Sequence, residues 1–406
     1  MIRPSVSDRR RTVALPGAAL ATALALWLLV PTPVLAASAP SRQDVQDALE
    51  RSVAAGVPGA TAVIRAPGGV ERYAAGTADL QRGVPLSPDH RARVGSVTKT
   101  FTAAAILQLV AQGHVALDES VERWLPGLVP NGDRITVRQL LNHTSGLAEY
   151  CAVPPDSTLC VPPPAEMTRT WTPLQLVEIG VGAPPTFPPG EGFSYSNTDY
   201  VLLGMIIEQA TGRSLTSSLK RMIFDPLGLK RTSLSKRSSI ARPFAHGYDV
   251  LAEGNWALDV TATSPTIAWG AGAIVSVPAD LQRFMRALLG GRLFPKSLLR
   301  EMKVAAPGSL NGTPPSSPVE GGGIGTYGLG LIHFTWASAC GVQGHSGSYP
   351  GFHTWAFAAE GGRRGAALYT TADVLPAAGV IATLEAERLV ACRMRFGDIG
   401  ARNPRG

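Results

Sequence analysis

Lysine is scarce in this sequence, and the few lysines that occur are unevenly placed. The 406 residues include six lysines against thirty-one arginines, and Lys99 is the only lysine before Lys220. Arginine therefore supplies most of the positive charge. A guanidinium keeps its proton near neutral pH whereas a desolvated amine can release it, so a general base of this type must be a lysine. Lys99 is the first candidate.

Two other patterns are missing, and each excludes a class of function. The chain has no Lys/Arg cluster with interleaved aromatic residues, so we expect no nucleic-acid partner. Its formal net charge is +7, and residues 1–36 contribute +3 of that balance. The cysteines and histidines of this sequence are not spaced as they are in metal sites, so we predict neither a metal nor a cofactor. These absences favour a small-molecule substrate.

The first 36 residues read as an export signal. Four arginines precede or open an apolar stretch over residues 14–30, and small residues follow near Ala36. An uncleaved membrane anchor is the alternative. Because the stretch contains a proline and is short for a span, we expect no stable membrane anchor. We therefore predict a secreted protein.

Four cysteines in an exported chain suggest two disulfides, for which three pairings are possible. Cys151 with Cys160 would close a short loop, which leaves Cys340 to pair with Cys392. Free buried thiols are the alternative.

A serine and a lysine stand three residues apart where an apolar run begins. Ser96 precedes residues 97–112, which are rich in Ala, Leu, Ile and Val without proline, and Gly113 is a typical helix stop. The pattern predicts a helix that begins near Ser96. Side chains at i and i+3 share a helix face, so the hydroxyl and the Lys99 amine would meet. We predict that Ser96 is a nucleophile and Lys99 its base.

The same spacing occurs twice more, so spacing alone is weak support. Ser217 with Lys220 and Ser233 with Lys236 match it, but neither pair opens an apolar helix. The alternative for Ser96 and Lys99 is a helix cap and a solvated surface lysine.

A second polar cluster, Tyr195-Ser196-Asn197, precedes another helical pattern. An extended tripeptide points its first and third side chains the same way. A phenol carries protons and an amide holds a carbonyl, so Tyr195 and Asn197 are site candidates. The alternative is that Tyr195 packs in the core and Asn197 caps the helix.

A third cluster, His345-Ser346-Gly347-Ser348, lies in a strand-like run near the end of the chain. Glycine in a strand lets its backbone approach a ligand closely, which makes these four residues candidates for substrate binding. The alternative is a glycine-rich turn beside a core histidine. Trp269 is a further candidate, either in the pocket lining or in the core.

Strand patterns lie near both ends of the chain, while the middle is mostly helical. Terminal helices are predicted at 41–54 and 375–392. This order suggests an α/β fold with one antiparallel sheet assembled from both halves. We predict a discontinuous sheet domain over 40–95 and 268–396, a mainly helical inserted domain over 96–267 and a tail over 397–406.

Four local predictions complete this outline. The proline-rich residues 153–189 read as irregular, and residues 307–325 read as a surface loop. Residues 270–276 and 327–334 read as strands.

The order of the three clusters resembles that of the penicillin-recognising serine hydrolases, whose first motif is Ser-x-x-Lys. The similarity is greatest to the branch with class C β-lactamases, family VIII-type esterases and the secreted soluble D-alanyl-D-alanine carboxypeptidase. Besides the clusters it involves Arg138-Gln139-Leu140-Leu141 and Tyr327-Gly328-Leu329-Gly330-Leu331. The resemblance runs over nearly the whole mature chain and implies a β-lactamase/transpeptidase-like fold.

The resemblance also implies roles for the candidate residues. Lys99, with Tyr195 nearby, would take the proton of Ser96, which forms an acyl-enzyme. Both bases have ordinary pKa values of about 10, so at least one must be lowered or the pair must share a proton. Burial and cationic character at His345 would lower the pKa of Lys99. The backbone amides of Ser96 and Ser348 would form the oxyanion hole, and Asn197 would hold a substrate amide.

The leading functional prediction is a D,D-carboxypeptidase that acts on cell-wall-type peptides and is acylated by β-lactams. One departure weakens it, because Ile332-His333-Phe334 stands where that enzyme carries carboxylate-binding arginines. His333 is a possible substitute, and the hydroxyls of Ser346 and Ser348 remain for carboxylate contact. The alternatives are an esterase, a class C-like β-lactamase and a non-catalytic binding member. The sequence leaves the oligomeric state open.

Overall fold

The computed structural model describes residues 39–66, 68–154, 157, 159–250, 257–309, 325–334, 340–373 and 377–396. The expected export signal over 1–36 and tail over 397–406 lie outside these residues, as does most of the expected loop over 307–325. The division into a sheet domain and a helical domain stays a prediction.

Helices occupy most of the middle of the chain, as the sequence predicts. From one end of the chain to the other, the α-helices are α1 Arg42–Ala54, α2 Val97–Ala111, α3 Val121–Trp124, α4 Val137–Leu141, α5 Pro173–Gly182, α6 Asn197–Thr211, α7 Leu215–Leu219, α8 Asp225–Leu227, α9 Trp269–Gly272, α10 Pro278–Leu289, α11 Lys296–Met302 and α12 Ala377–Phe396.

Strands cluster near the two ends of the chain. They are β1 Gly59–Ala66, β2 Gly69–Asp79, β3 Val84–Pro85, β4 Ala92–Arg93, β5 Ser233–Leu234, β6 Tyr248–Val250, β7 Ala257–Asp259, β8 Ile274–Ser276, β9 Gly325–Tyr327, β10 Ile332–Phe334, β11 Val342–Tyr349, β12 Phe352–Ala359 and β13 Gly365–Thr370.

One large antiparallel sheet joins the two halves of the chain. Its strand order is β3-β2-β1-β13-β12-β11-β10-β9, and the pair that joins the two halves aligns Thr61 of β1 with Tyr369 of β13. The predicted antiparallel sheet with strands from both halves is therefore confirmed. Two smaller sheets, β4-β8-β5 and β6-β7, lie outside it.

The terminal helices α1 and α12 cover one face of the large sheet. Apolar residues such as Leu49 of α1 and Val390 of α12 form a buried cluster with Ile64 and Leu368 of the sheet. Ser41 caps α1, since its hydroxyl accepts from the Asp44 backbone N–H while the Asp44 carboxylate bonds back to Ser41. This face confirms the flanking terminal helices.

Helix α2 is buried on all sides in a second cluster, which also includes sheet residues such as Ala356. A helix that is buried on every face lies in the protein interior, where its threonines bond to neighbouring backbone groups. Within it Phe101 stacks on Phe284 of α10 with ring centroids 3.6 Å apart. The residues at the start of α2 are thus held by a packed core.

Three local predictions were partly wrong. Helix α5 lies within 153–189, where Thr172 and Gln175 form a capping box around Pro173 at the helix start. The expected strand over 270–276 begins as the short helix α9 and becomes strand only at Ile274. The expected strand over 327–334 is two strands, β9 and β10, because Gly330 takes a positive φ of 72° between them.

Both predicted disulfides are present. Cys151 pairs with Cys160, and Cys340 pairs with Cys392, which ties the segment before β11 to α12. Among the described residues, no helix combines the length and apolar character needed to cross a membrane.

Candidate active site

The Ser96 hydroxyl lies at the start of α2 and does not cap the helix. Gly95 turns the chain with a φ of 50°, a conformation that favours glycine, and α2 begins at Val97. The Ser96 side chain makes no capping hydrogen bond. Instead its Oγ accepts a hydrogen bond from Lys99 Nζ at 3.0 Å. The predicted meeting of hydroxyl and amine is present, and the simple helix-cap alternative is not.

Lys99 is fully buried and is bonded to groups from three segments of the chain. Besides Ser96, its Nζ donates to Asn197 Oδ1 at 2.5 Å and to the Ala271 carbonyl at 3.1 Å. Each of these acceptors can take a proton of the amine. The solvated-lysine alternative is therefore wrong, and α6 and α9 converge on the amine.

Asn197 is the first residue of α6, and its side chain points to Lys99 instead of capping the helix. Ser196 occupies the cap position, and its hydroxyl bonds to the Ala148 carbonyl. The Asn197 backbone N–H donates to Glu149 Oε2 at 2.6 Å, and its Nδ2 lies 3.5 Å from Cys151 Sγ. The carboxylate and the disulfide thus fix the position of the amide.

Glu149 is a half-buried carboxylate that the sequence analysis missed. Its Oε1 accepts from the Cys151 backbone N–H at 2.9 Å, beside the bond to Asn197. Burial raises the pKa of Glu149, while these two hydrogen bonds and the nearby Lys99 amine oppose the shift. An acidic residue within the apolar segment Gly146-Leu147-Ala148-Glu149 was the available signal.

Tyr195 lies beside Lys99, as the second cluster predicts. Lys99 Nζ is 4.7 Å from the centre of the Tyr195 ring, and the His143 ring packs 4.4 Å from that ring. His143 is buried and has a structural role, since its Nδ1 accepts from the Ser196 backbone N–H at 3.2 Å. Asp199 contacts the same nitrogen at 3.0 Å. His143 and its contacts with Ser196 and Asp199 therefore hold the Tyr195 segment in place.

Two glycines bring strand β11 against the Ser96 turn. A Cβ on Gly347 would lie 2.1 Å from the Val94 carbonyl and 2.7 Å from the Ser96 nitrogen. A Cβ on Gly95 would lie 2.3 Å from the Ser348 carbonyl. Only glycine allows two backbones to approach this closely. The backbones of Ser96 and Ser348 are therefore neighbours, as an oxyanion hole requires.

His345 is buried in β11, and its tautomer follows from its partners. Its Nδ1 bonds to the Ser346 carbonyl, which only accepts, so Nδ1 carries the proton. Its Nε2 then accepts from the Tyr327 hydroxyl at 3.0 Å. Burial, and next the Lys99 charge, lower the pKa of His345 to about 3. The expected cationic character at His345 was therefore wrong, because burial favours the neutral ring.

Neither Ser348 nor Trp269 has a side chain that simply lines a pocket. The Ser348 hydroxyl donates to the carboxylate of Asp373, a residue after β13 that the sequence analysis also missed. Trp269 is buried, and its ring lies against the backbone of Gly204 in α6. The structure therefore favours the core alternative for Trp269. Ser346 is half-buried on β11 opposite Trp355.

Comparison with known proteins agrees with this geometry. The Beta-lactamase family profile matches residues 45–389. The chain is 30% identical to Penicillin-binding protein 4* of Bacillus subtilis over 317 residues, which cover 72% of this chain and 63% of that protein. The chain thus spans less than two thirds of that curated relative.

Two solved structures match at nearly full length. A D-stereospecific amidohydrolase from Streptomyces sp. is 39% identical with a TM-score of 0.74, covering 84% of this chain and 98% of that one. A D-amino acid amidase from Ochrobactrum anthropi SV3 is 29% identical with a TM-score of 0.73, covering 86% and 97%. On its fold, its family profile and these relatives, the chain belongs to the β-lactamase/transpeptidase-like family and is a serine hydrolase.

Proposed function

We propose that the protein cleaves amide or ester bonds of D-configured aminoacyl substrates through an acyl-enzyme on Ser96. The observation that carries this proposal is the 3.0 Å hydrogen bond between Lys99 Nζ and Ser96 Oγ, in a buried site against the backbone of β11. A nucleophile, a neighbouring base and a fixed pair of backbone amides are the parts that acyl transfer needs.

In the acylation step, Ser96 Oγ bonds to the substrate carbonyl carbon and loses its proton to the Lys99–Tyr195 pair. An ammonium has no lone pair, so one member of the pair must be deprotonated when attack begins. The carbonyl oxygen gains negative charge and is stabilised by the backbone N–H groups of Ser96 and Ser348. One such donor contributes about 3 kcal/mol.

The bond to the leaving group breaks next, and the pair returns the proton to the leaving amine or alcohol. Tyr195 is the proposed donor, because its half-buried ring lies beside Lys99. A water then attacks the Ser96 ester, releases the acid and restores the hydroxyl. Asn197, bonded to Lys99 and to Glu149, positions the amine and contacts the acyl part of the substrate.

The proposed D configuration of the substrate rests on the similarity to two solved structures. The amidohydrolase and the amidase named above are described as acting on D-stereoisomers or D-amino acids, and both match this chain over nearly their full length. Two disulfides support export to an oxidising compartment, so we include secretion in the proposal.

A D,D-carboxypeptidase that β-lactams acylate is the second candidate, supported by the similarity to Penicillin-binding protein 4*. It needs a group for the substrate's free carboxylate. His333, the possible substitute, lies opposite Gln343, five residues along β11 from Ser348 and thus about 17 Å away by strand rise. Its charged neighbours are Lys303 and Glu360. This placement argues against His333 in that role.

The test compares D-phenylalanine p-nitroanilide, its L enantiomer, an N-acyl-D-Ala-D-Ala peptide and benzylpenicillin with the wild-type protein and Ser96→Ala. We expect Ser96-dependent release of p-nitroaniline from the D substrate at a rate well above that from the L substrate. Faster cleavage of the N-acyl-D-Ala-D-Ala peptide would favour the carboxypeptidase. Hydrolysis of every substrate at equal rates in Ser96→Ala, or of none in the wild type, would contradict both.

A further inference from the structure

The Cys151–Cys160 disulfide contacts the amide group that holds Lys99. Cys151 Sγ lies 3.5 Å from Asn197 Nδ2, while Asn197 Oδ1 accepts from Lys99 Nζ at 2.5 Å. The sulfur and the amine therefore lie at opposite ends of one amide group. Two side chains, those of Asn197 and Lys99, thus connect the disulfide to the Ser96 hydroxyl.

The oxidation state of Cys151 determines which end of the amide faces the sulfur. A disulfide sulfur carries no proton and can only accept, so it faces the Nδ2 donor and leaves Oδ1 for Lys99. A thiol donates as well as accepts, and it can therefore face either end of the amide. If Oδ1 turns to the thiol, Nδ2 turns to Lys99 and two donors face each other. The oxidised form alone specifies the orientation that holds the amine.

The segments before and after the disulfide are tied to the residues that precede α9. The Tyr150 hydroxyl donates to the Ile267 carbonyl at 2.6 Å, just before the first cysteine. After the second cysteine, the Met167 carbonyl accepts from the Ser264 backbone N–H at 2.6 Å. Helix α9 then supplies a further acceptor for the Lys99 amine. The disulfide therefore closes a ring of contacts around that amine.

Contacts without sulfur hold the backbone of this segment. The half-buried Glu149 carboxylate accepts from the backbone N–H groups of Cys151 and Asn197 at 2.9 and 2.6 Å. These two bonds, and that of the Tyr150 hydroxyl, remain when the disulfide is broken. Loss of the disulfide should therefore release the Cys151 sulfur while the surrounding backbone stays folded.

The two disulfides of the chain differ in their surroundings. Cys151 and Cys160 are both half-buried, so a small dithiol can reach them. Cys340 is 1% exposed, and its disulfide with Cys392 belongs to the apolar cluster between the large sheet and the terminal helices. The second disulfide therefore offers a matched control for the first.

We propose that the Cys151–Cys160 disulfide positions Asn197 for catalysis and that its reduction lowers turnover reversibly. This inference rests on the proposed function. A dithiol supplies two electrons and two protons, which convert the disulfide into two thiols, and the dithiol becomes a cyclic disulfide. The amide then loses its fixed orientation, and Lys99 loses one of its acceptors. Because cytosolic thiols are kept reduced, the chain gains full activity after export.

The first test compares the double variant Cys151→Ser/Cys160→Ser with the control Cys340→Ser/Cys392→Ser. Serine resembles the thiol in size and, like it, both donates and accepts. We expect kcat/KM for D-phenylalanine p-nitroanilide to fall at least about fivefold in the first variant, as for loss of one hydrogen bond, and to stay within about twofold in the second. Thermal unfolding checks that each variant is folded. Equal activity in the two folded variants would contradict the proposal.

Reduction of the wild type tests the same point without a substitution. Dithiothreitol is added in steps, and alkylation with iodoacetamide followed by peptide mass spectrometry identifies which disulfide has opened. Activity measured before alkylation should fall in step with opening of Cys151–Cys160 and return on reoxidation. Full activity while this disulfide is open would overturn the proposal.

A double-mutant cycle shows whether the effect passes through Asn197. In the Asn197→Ala background, loss of the Cys151–Cys160 disulfide should change kcat/KM by less than about twofold, because coupled residues are not additive. Multiplicative losses would give the disulfide a structural role only and overturn this inference, while Ser96-dependent hydrolysis leaves the proposed function standing. Absence of Ser96-dependent hydrolysis in the oxidised wild type would instead overturn the proposed function.

Discussion

The two ends of the active site are built differently. At the Ser96 end, the amine of Lys99 bonds to Ser96, Asn197 and Ala271 inside a packed core. At the Ser348 end, the Asp373 carboxylate lies beside His353, a histidine without a hydrogen-bond partner among the described residues. The first end is a connected hydrogen-bond network, whereas the second includes a buried imidazole outside such a network. We infer that the Ser96 end carries bond cleavage and that the Ser348 end contributes through its backbone, which lies against the Ser96 turn.

The two ends also differ in whether neighbouring or distant parts of the sequence form them. Ser96 and Lys99 come from a single helix turn, where sequence spacing fixes their distance. The Ser348 end draws Ser348, His353 and Asp373 from three segments that meet only in the folded protein. A change at the first end should therefore reduce turnover of every substrate.

The largest effect is expected from Ser96→Ala. Removal of the nucleophile should lower kcat at least about 10⁴-fold on every substrate, as in other serine hydrolases. Steady-state kinetics with an activated ester and a p-nitroanilide measure it. Ser217→Ala is the matched control, since Ser217 has the same spacing to Lys220 but lies half-buried in α7, away from Ser96 and Lys99. Comparable losses in the two variants would refute the assignment of the Ser96 end.

Lys99→Met should follow, with a loss of about 10³-fold in kcat/KM, because a general base contributes roughly 10²–10⁴-fold. Methionine fills the buried space without an amine. Lys220→Met is the control, since that lysine forms an exposed ion pair with Asp225. Pre-steady-state acylation rates locate the loss. Slower deacylation with normal acylation in Lys99→Met would argue against the proposed base.

Gly347→Ala tests the contact between the two ends. Its Cβ would lie 2.1 Å from the Val94 carbonyl, so β11 must move away from Ser96. Loss of one oxyanion donor costs about 10²–10³-fold in kcat. Gly182→Ala adds the same methyl where nothing lies within 4 Å, at the end of α5, and should keep full activity. Full activity in folded Gly347→Ala would show that this approach is not needed.

His345→Gln should have the smallest effect, on the pH dependence of stability. Burial lowers the pKa of His345 from 6.5 to about 3 in the folded protein. The unfolded chain thus binds a proton that the folded protein does not, and stability falls as pH decreases from 6.5 to about 3. The slope is up to about 1.4 kcal/mol per pH unit. Denaturant unfolding at several pH values should show a shallower acid loss in His345→Gln than in the wild type.

Sequence predicts the parts of the site that depend on local spacing. The Ser96–Lys99 contact, the sheet with strands from both halves and both disulfides are confirmed. Glu149 and Asp373 were missed because long-range folding brings them to Asn197 and Ser348. The spacing of residues along the chain does not predict such long-range contacts.

Burial was the second quantity that sequence did not provide. His345 was expected to be cationic, but its neutral state follows from an environment that is visible only in the fold. Helix α5 was missed although Thr172-Pro173-Leu174-Gln175 is a capping box with proline at the first position. The surrounding prolines outweighed that signal. The roles of the individual site residues remain predictions.

The most direct test of the central claim is covalent labelling with an alkyl fluorophosphonate, followed by peptide mass spectrometry and by the remaining esterase activity. We predict one label per chain on the peptide that carries Ser96, loss of activity in proportion to labelling, and much slower labelling in Lys99→Met. A label on another residue, or full ester hydrolysis while Ser96 stays unlabelled, would contradict the account.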